Sequence, residues 1–396
     1  MLFIITLLLI IIVIYLLIVL DFKLGRRNHQ NHAQILPFKE TTADYHLYKN
    51  GSPLFEDLFQ EIAEAQQHVD IYFYLISSDQ PGRDFLEILK NKAREGVPVR
   101  LMTDRLGGYQ LSKSIRSDLA EAGVQFHFSA IPGFPYFFYK LNRRNHRKIT
   151  VIDGKIAYVG GFNVGDNYLG KNPKFGDWRD YHLRLTGPVV GELHQIFLDD
   201  WYRATGEKHS PAVSNEEAKH SVKIVATDGM KLEDEFLHMI QRADKEILIG
   251  TPYFIPSEKL MKSLGQALQR GVSLQIMVPL KSDHPFVKEA AIPYLEQLFH
   301  AGAKICLYDD GFYHSKVMIV DQSIADIGTA NFDRRSFFLN KEVNTFVYDK
   351  VFISDLRKAY MKDAQNAIAF NEEWLSQRSF ATKINIQIAK VLRPIL

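Results

Sequence analysis

"YHSKVMIVD" (residues 313–321) is the stretch on which the reading of this chain turns. Val317, Met318, Ile319 and Val320 form the continuous apolar run expected of a β-strand packed on both faces. His314 and Lys316 stand two residues apart, so on a strand they point to one side, and Asp321 closes the run where a turn begins. Burying a lysine costs several kcal/mol or more unless it is paired. A single such stretch therefore reads as polar residues fraying from a strand end. The stretch is not single. "NHRKITVIDG" (145–154) repeats it with His146, Lys148 and Asp153, and each copy leads after six residues to a G-x-x-N, Gly160 to Asn163 and Gly328 to Asn331. The pattern H-x-K-x4-D-x6-G-x-x-N thus occurs twice, 168 residues apart.

The repeat extends beyond the motif. In the first half, strands are expected at 68–76, 97–104 and 124–128, with helices at 82–96 and near 111–122. In the second, strands are expected at 245–256, 272–279 and 303–309, with helices at 257–271 and near 285–302. "KNKAREGVPVRLM" and "GQALQRGVSLQIM" are the same helix–Gly–strand unit. Alternating strand and helix predicts mixed α/β halves with buried sheets, and the duplication predicts one site at their interface. The expected organisation is an apolar anchor over 1–22, a juxtamembrane segment over 23–40, a first domain over 41–206, a polar linker over 207–221 and a second domain over 222–396.

The 396 residues are 46% hydrophobic, enough for two or three cores and against disorder. A net charge of +2 leaves any basic site a local matter. The single cysteine, Cys306, excludes internal disulfides and a cysteine-rich zinc site. Residues 2–20, "LFIITLLLIIIVIYLLIVL", carry no charge and would span about 28 Å as a helix, close to a hydrocarbon core. No basic flank precedes this run and no small-residue cleavage site follows it, which predicts an uncleaved single-pass cell-membrane anchor. Lys23, Arg26 and Arg27 follow it and predict cytoplasmic catalytic domains.

The residue types define a chemistry. Lys148 and Lys316, with Asn163 and Asn331, make a cationic, donor-rich cradle for the non-bridging oxygens of a phosphate. Across it, one histidine can attack phosphorus to form a phospho-histidine, while the other protonates the leaving oxygen and then deprotonates the incoming alcohol. A nucleophilic imidazole needs one ring nitrogen free and the other held by an acceptor. Asp180 in "DWRDYHLRL" and Glu342 in "LNKEVNTF", each roughly 30 residues after a motif histidine, are the candidate His-orienting groups. The catalytic set is then His146, Lys148, Asp153, His314, Lys316 and Asp321. Asp153 and Asp321 fall off the His/Lys face and are expected to fix loops or pair with basic side chains rather than touch phosphate.

With these motifs, the chain resembles the phospholipase D superfamily. "HRKITVIDGKIAYVGGFNVGDNYLG", "DWRDYHLRLTGP", "HSKVMIVD", "GTANFDRRSFFLNKEV", the N-terminal anchor and the C-terminal "AKVLRPIL" resemble bacterial cardiolipin synthases over essentially the whole chain. Many members carry two N-terminal hydrophobic segments; this sequence shows one. The resemblance implies two phospholipase D-like α/β domains and a metal-independent transfer without cofactors. One phosphatidylglycerol would pass its phosphatidyl group to another, giving cardiolipin and glycerol. It also implies that His146 is the nucleophile and His314 the general acid. The alternatives are hydrolysis of a phospholipid with water as acceptor, a nuclease on the same scaffold, and a non-catalytic membrane scaffold. The last conflicts with both His–Lys pairs and both asparagines being intact.

The expected partners are phosphatidylglycerol and anionic membrane lipid, not nucleic acid. In "IPGFPYFFYKLNRRNHRK" (131–148), Phe134, Tyr136, Phe137, Phe138 and Tyr139 precede Arg143, Arg144 and Arg147. This is the composition of an interfacial loop, with rings at headgroup depth and cations toward anionic lipid; a core cluster under a loop is the other reading. Arg334 and Arg335 are placed either to meet a second phosphate or to form salt bridges. The apolar positions of 379–396 suit an amphipathic helix on the membrane or on the domain. His46, His68, His127, His182, His194 and His284 have no motif context, and no metal-binding spacing occurs.

Overall fold

The computed structural model describes residues 2–33, 39–211 and 216–392. Each half contains a parallel trio of strands, Val69–Phe73, Val99–Asp104 and Gln125–Ser129 in the first and Glu246–Gly250, Ser273–Pro279 and Lys304–Tyr308 in the second. Helices Gln80–Arg94 and Lys113–Glu121, with their counterparts Glu258–Gln269 and Val287–His300, make the crossovers. Their starts are chemically marked: the Asp79 carboxylate accepts from the Gly82 N–H and the Ser257 hydroxyl from the Leu260 N–H. Phe85, Leu86 and Leu89 recur at helical spacing and are buried, so this face covers the sheet. Burying each such side chain contributes about 1.5–3 kcal/mol.

The motif strands Ile149–Ile152 and Val317–Val320 run antiparallel to the first strand of each trio. Ile156–Gly160 and His182–Thr186 continue the first half, Ile324–Gly328 and Lys341–Val347 the second. The halves join edge to edge. Lys39–Tyr48 pairs through residues 44–48 with His182–Thr186 and through 39–43 with His220–Asp228, which in turn pairs with Lys341–Val347. The result is one 15-stranded sheet among the described residues, with the parallel trios toward its two ends and the antiparallel strands in its middle. Cys306 is buried within it.

The regular strands begin at Ile149 and Val317, so His146, Lys148, His314 and Lys316 lie in the segments feeding them rather than inside. The N-terminal helix, Leu2–His32, also differs from its expected limits, because it runs ten residues past the proposed end of the anchor at 22. Residues 3–17 are exposed along their length, whereas the following turns dock on the domain. Asp21 Oδ1 accepts the Tyr139 N–H at 2.8 Å, Arg26 lies 5.6 Å over the Phe338 ring, and His29 Nε2 is 2.9 Å from the Asp228 carbonyl oxygen. Gly25 is buried there, and a Cβ on it would stand 2.6 Å from Tyr139 Cβ. The part of the proposed juxtamembrane segment up to His32 is thus a docked helix; residues 34–38 of it lie outside the described residues. The proposed linker is shorter than 207–221, since strand His220–Asp228 already contains its last two residues. At the other terminus, helix Phe380–Leu392 buries Ile386 and Ala389, while Phe380, Ile384 and Ile388 face out.

Candidate active site

The two motifs meet at the seam between the halves, and each is held by the other half. The His146 N–H donates to the Lys341 carbonyl oxygen at 2.8 Å, and His146 Nδ1 lies 3.1 Å from Glu342 Oε2. Reciprocally, the His314 N–H donates to the Arg179 carbonyl oxygen at 2.8 Å, and His314 Nδ1 lies 2.6 Å from Asp180 Oδ2. Asp180 and Glu342 are therefore both beside catalytic-type histidines, but crossed. Pairing each carboxylate with the histidine about 30 residues before it would couple Asp180 to His146, and the fold does the reverse.

Both lysines are buried between these pairs. Lys148 Nζ donates to the His146 carbonyl oxygen at 2.9 Å; Lys316 Nζ donates to that of His314 and stands 3.4 Å from Asp180 Oδ2. Lys316 Nζ is also 2.7 Å from His314 Nδ1. One nitrogen cannot both give its proton to Asp180 and accept one from Lys316. With Asp180 ionised, the imidazole N–H goes to the carboxylate, leaving Nε2 turned to the site. Burial pushes Lys148 down to about 7, with Lys316 adding to the effect and Glu342 and Asp180 opposing it. His314 falls to about 4, through burial and then Lys316, against the pull of Asp180. His146 is lowered by burial and by both lysines, against Glu342. For Asp180 burial acts upward, yet Lys316 and His314 hold its carboxyl below the usual range. A lysine of the second half thus acts on a histidine and a lysine of the first.

Gly161, the residue after the motif glycine, has a reason: a Cβ there would overlap both Asp180 carboxylate oxygens. The corresponding residue of the second copy, Thr329, instead donates its hydroxyl to Glu342 Oε2 at 2.6 Å. Asn163 spends its carbonyl on the Leu75 N–H and one N–H on the Tyr168 hydroxyl. Asn331 is buried with its Oδ1 unpartnered.

Other expected residues lie elsewhere. Asp153 and Asp321, grouped with the catalytic set above, sit in tight turns with φ of +54°. Asp153 accepts the N–H groups of Gln66, Gln67 and His68, and Asp321 those of Asp244, Lys245 and Glu246. They brace the entry to the first strand of each trio through these backbone contacts. The arginines expected to face lipid are instead mostly buried in ion pairs: Arg143 with Asp228, Arg144 with Asp104 and Arg147 with Asp200. Arg335 donates to the Asn142 carbonyl oxygen, and Arg334 lies over Phe338. Of the aromatic cluster, Phe134 is 87% exposed while Tyr139 packs beneath the anchor helix. His68, Asp70 and His194 approach closely enough to hold a metal, but Arg100 engages both Asp70 oxygens, at 2.6 and 2.9 Å, so the cluster is already neutralised as an ion pair.

Several site residues escaped the sequence reading. Tyr74 packs edge-on against His146 at 5.1 Å, and Trp178 lies 4.8 Å from His314. Asp200 is the most connected. Its Oδ2 accepts from Asn145 Nδ2 and Arg147 Nη1, both at 2.8 Å, and its Oδ1 from Lys341 Nζ at 2.5 Å. It therefore ties both neighbours of His146 to the neighbour of Glu342. The available signal was a carboxylate on the apolar face of helix Val189–Thr205, between Phe197 and Trp201.

Comparison with known proteins agrees with this geometry. The family described as "Cardiolipin synthase, PLD-like domain" matches residues 58–201 and 236–364, one segment in each half. The minor cardiolipin synthase ClsB of Bacillus subtilis (strain 168) is 40% identical over 378 residues, covering 95% of each chain. The cardiolipin synthase of Geobacillus kaustophilus is 38% identical over 357 residues, covering 88% of this chain and 71% of that one. Among solved structures, the phosphatidylserine synthase of Haemophilus influenzae Rd KW20 superposes with a TM-score of 0.69 at 17% identity, covering 94% of this chain and 99% of that one, a likeness of fold. Fold and site together define a duplicated enzyme of the phospholipase D type, with one active centre between its halves. Within that class, the chain belongs to the cardiolipin synthase family.

Proposed function

We infer that the protein is a cardiolipin synthase that transfers a phosphatidyl group from one phosphatidylglycerol to the glycerol hydroxyl of a second. The observation that carries this reading is the pair of crossed His–carboxylate contacts around two buried lysines. With its Nδ1 proton held by Glu342, His146 offers an Nε2 lone pair to phosphorus. The new P–N bond forms as the P–O bond to glycerol breaks, and the departing oxygen takes the Nε2 proton of His314. His314 carries this proton as imidazolium only once the anionic phosphodiester, acting with Asp180, offsets the lowering by burial and Lys316. The hydroxyl of the second phosphatidylglycerol returns a proton to His314 and attacks phosphorus. The P–N bond then breaks, and cardiolipin leaves with His146 restored. Asp180 stabilises the imidazolium form of His314, and Lys148 and Lys316 attract the non-bridging oxygens. Asn331 adds a donor, and Asn163 a remaining N–H.

No step requires a metal or cofactor. The N-terminal helix, long and apolar enough to cross a membrane, supports a membrane-anchored enzyme; Lys23, Arg26 and Arg27 support catalytic domains on the cytoplasmic side. The test is product analysis with purified full-length protein in phosphatidylglycerol micelles with chelator present. Cardiolipin with equimolar glycerol, lost in both His146→Ala and His314→Ala, is the expected result. Phosphatidic acid as main product would make water the acceptor and overturn the transferase assignment; appreciable turnover by either variant would overturn the two-histidine mechanism.

A further inference from the structure

The loop before the first motif turns its arginines inward but leaves apolar side chains outside. Residues 128–139, "FSAIPGFPYFFY", carry no charged side chain. Within them Ile131, Phe134 and Phe138 are exposed, the first two by 61% and 87%. The Phe134 and Phe137 rings stack at 5.6 Å, and Phe137 meets Phe138 edge-on at 5.5 Å, so the three phenylalanines form one continuous aromatic surface. Such a surface is costly to leave in water and marks a place of contact.

The anchor helix shows what covers it. Asp21 is the first charged residue after the apolar run 2–20, so it stands at the edge of the hydrocarbon if that run spans a bilayer. Its Oδ1 accepts the Tyr139 N–H at 2.8 Å, and the Phe22 ring lies 6.2 Å from that of Tyr139. Tyr139 directly follows Phe138, which brings the aromatic loop to this same edge. Ile18 shares a helical face with Asp21, Phe22 and Gly25, at i, i+3, i+4 and i+7, and it alone among residues 3–20 is partly buried. The docked face of the helix therefore begins inside the apolar run.

We propose that Ile131, Phe134 and Phe138 enter the boundary between headgroups and acyl chains beside the anchor, giving the enzyme a second membrane contact. The proposal rests on the reading of the N-terminal helix as a membrane anchor. Uncharged aromatic and aliphatic side chains suit this boundary, where apolar faces are buried about 5–10 Å deep. A lone helix can tilt in a bilayer; a contact beside it holds the first domain at one height. Phe138 precedes His146 by eight residues, and Arg143 and Arg144 between them are paired with Asp228 and Asp104, so the loop is fixed to the segment that carries the histidine.

The test is a nitroxide depth measurement on the full chain in phosphatidylcholine nanodiscs, which leave both membrane faces open to quenchers. Cys306 is buried, so labelling is directed to single introduced cysteines. Ile131→Cys and Phe134→Cys, both at exposed positions, probe the loop; Ile10→Cys in the anchor and Lys358→Cys on the exposed side of helix Lys350–Gln365 are the lipid and water controls. Labels at 131 and 134 are expected to meet a water-soluble nickel chelate about fivefold less often than the label at 358, while staying as open to oxygen as the label at 10. Chelate access at 131 and 134 equal to that at 358, with position 10 protected, would overturn the proposal and leave the anchor reading standing. Shielding from both quenchers would put protein there, such as a second copy of the chain, and would also overturn it. Chelate access at position 10 would overturn the anchor reading and the proposal with it. None of the four positions belongs to the catalytic set, so every outcome leaves the transferase reading untouched.

Discussion

Replacing Asp180 by Asn removes one charge and almost no volume at the most buried contact of the site. Asp180 Oδ2 lies 2.6 Å from His314 Nδ1, which puts the charge centres of carboxylate and imidazolium roughly 4 Å apart. At an effective dielectric constant near 20 that attraction is about 4 kcal/mol, and it acts only when His314 carries its extra proton. At 1.36 kcal/mol per decade, the expected loss is about 10³-fold in kcat, with KM within about threefold of wild type. A second effect acts in the same direction. Lys316 Nζ, 2.7 Å from His314 Nδ1, becomes free to donate to it, which moves the imidazole proton to Nε2 and removes the lone pair that receives a proton from the incoming alcohol. The assay is initial-rate glycerol release from phosphatidylglycerol micelles, with circular dichroism to establish that the variant is folded. A folded Asp180→Asn enzyme retaining more than about a tenth of wild-type kcat would refute the role given to this carboxylate.

Five further outcomes are expected. Lys148, at about 7, sheds its proton as pH rises through neutrality, so KM for phosphatidylglycerol should climb above about pH 7, and Lys148→Arg, which cannot titrate there, should lose that limb. The same shift has a stability sign: unfolded Lys148 keeps its proton up to about 10.5, so between about 7 and 10.5 its contribution to folding stability rises with pH, which denaturation at several pH values would measure. Gly161→Ala should push the Asp180 carboxylate aside and lower turnover at least tenfold, by the estimate for a displaced charge-assisted bond; near-normal rates would contradict the packing. Asp153→Ala removes the acceptor of three backbone N–H groups, two of them on exposed residues, and should cost about 1–2 kcal/mol in stability, while kcat per folded molecule changes little. Gly25→Leu should undock the anchor helix from Tyr139, so that the protein still sediments with membranes but its turnover falls.

Much of this was legible in the sequence because duplication converts a weak local signal into a strong one. His314 and Lys316 alone are ambiguous; at the same spacing in a second copy, they identify a shared site. Strand and helix positions in the two halves were readable for the same reason, and Asp180 and Glu342 could be singled out by residue type. Their partners could not. Sequence separation favours contacts within one half, whereas the sheet passes each histidine's flank across the seam to the opposite half. Asp200 was hidden because a carboxylate on a helix announces itself only once its three cationic and amide partners converge from both halves. Arg143, Arg144 and Arg147 were misleading for the converse reason: a cluster of arginines beside aromatic residues suits a lipid surface, but Asp228, Asp104 and Asp200, 53 to 85 residues or about 40 away in sequence, bring them inward.

The crossed pairing also acts as an interlock. An enzyme that attacks phosphodiesters while embedded in a membrane built of them risks damaging its surroundings whenever it is partly assembled. Here a half-chain, or a chain whose halves have not closed, holds a histidine without the carboxylate that sets its proton and without the strand that aims it. Because Arg179 and Asp180 serve His314 while Lys341 and Glu342 serve His146, opening the seam disarms both histidines at once. On the proposed mechanism, reactivity would be reserved for the fully closed molecule, since a half-chain would lack the carboxylate and backbone partner of its histidine.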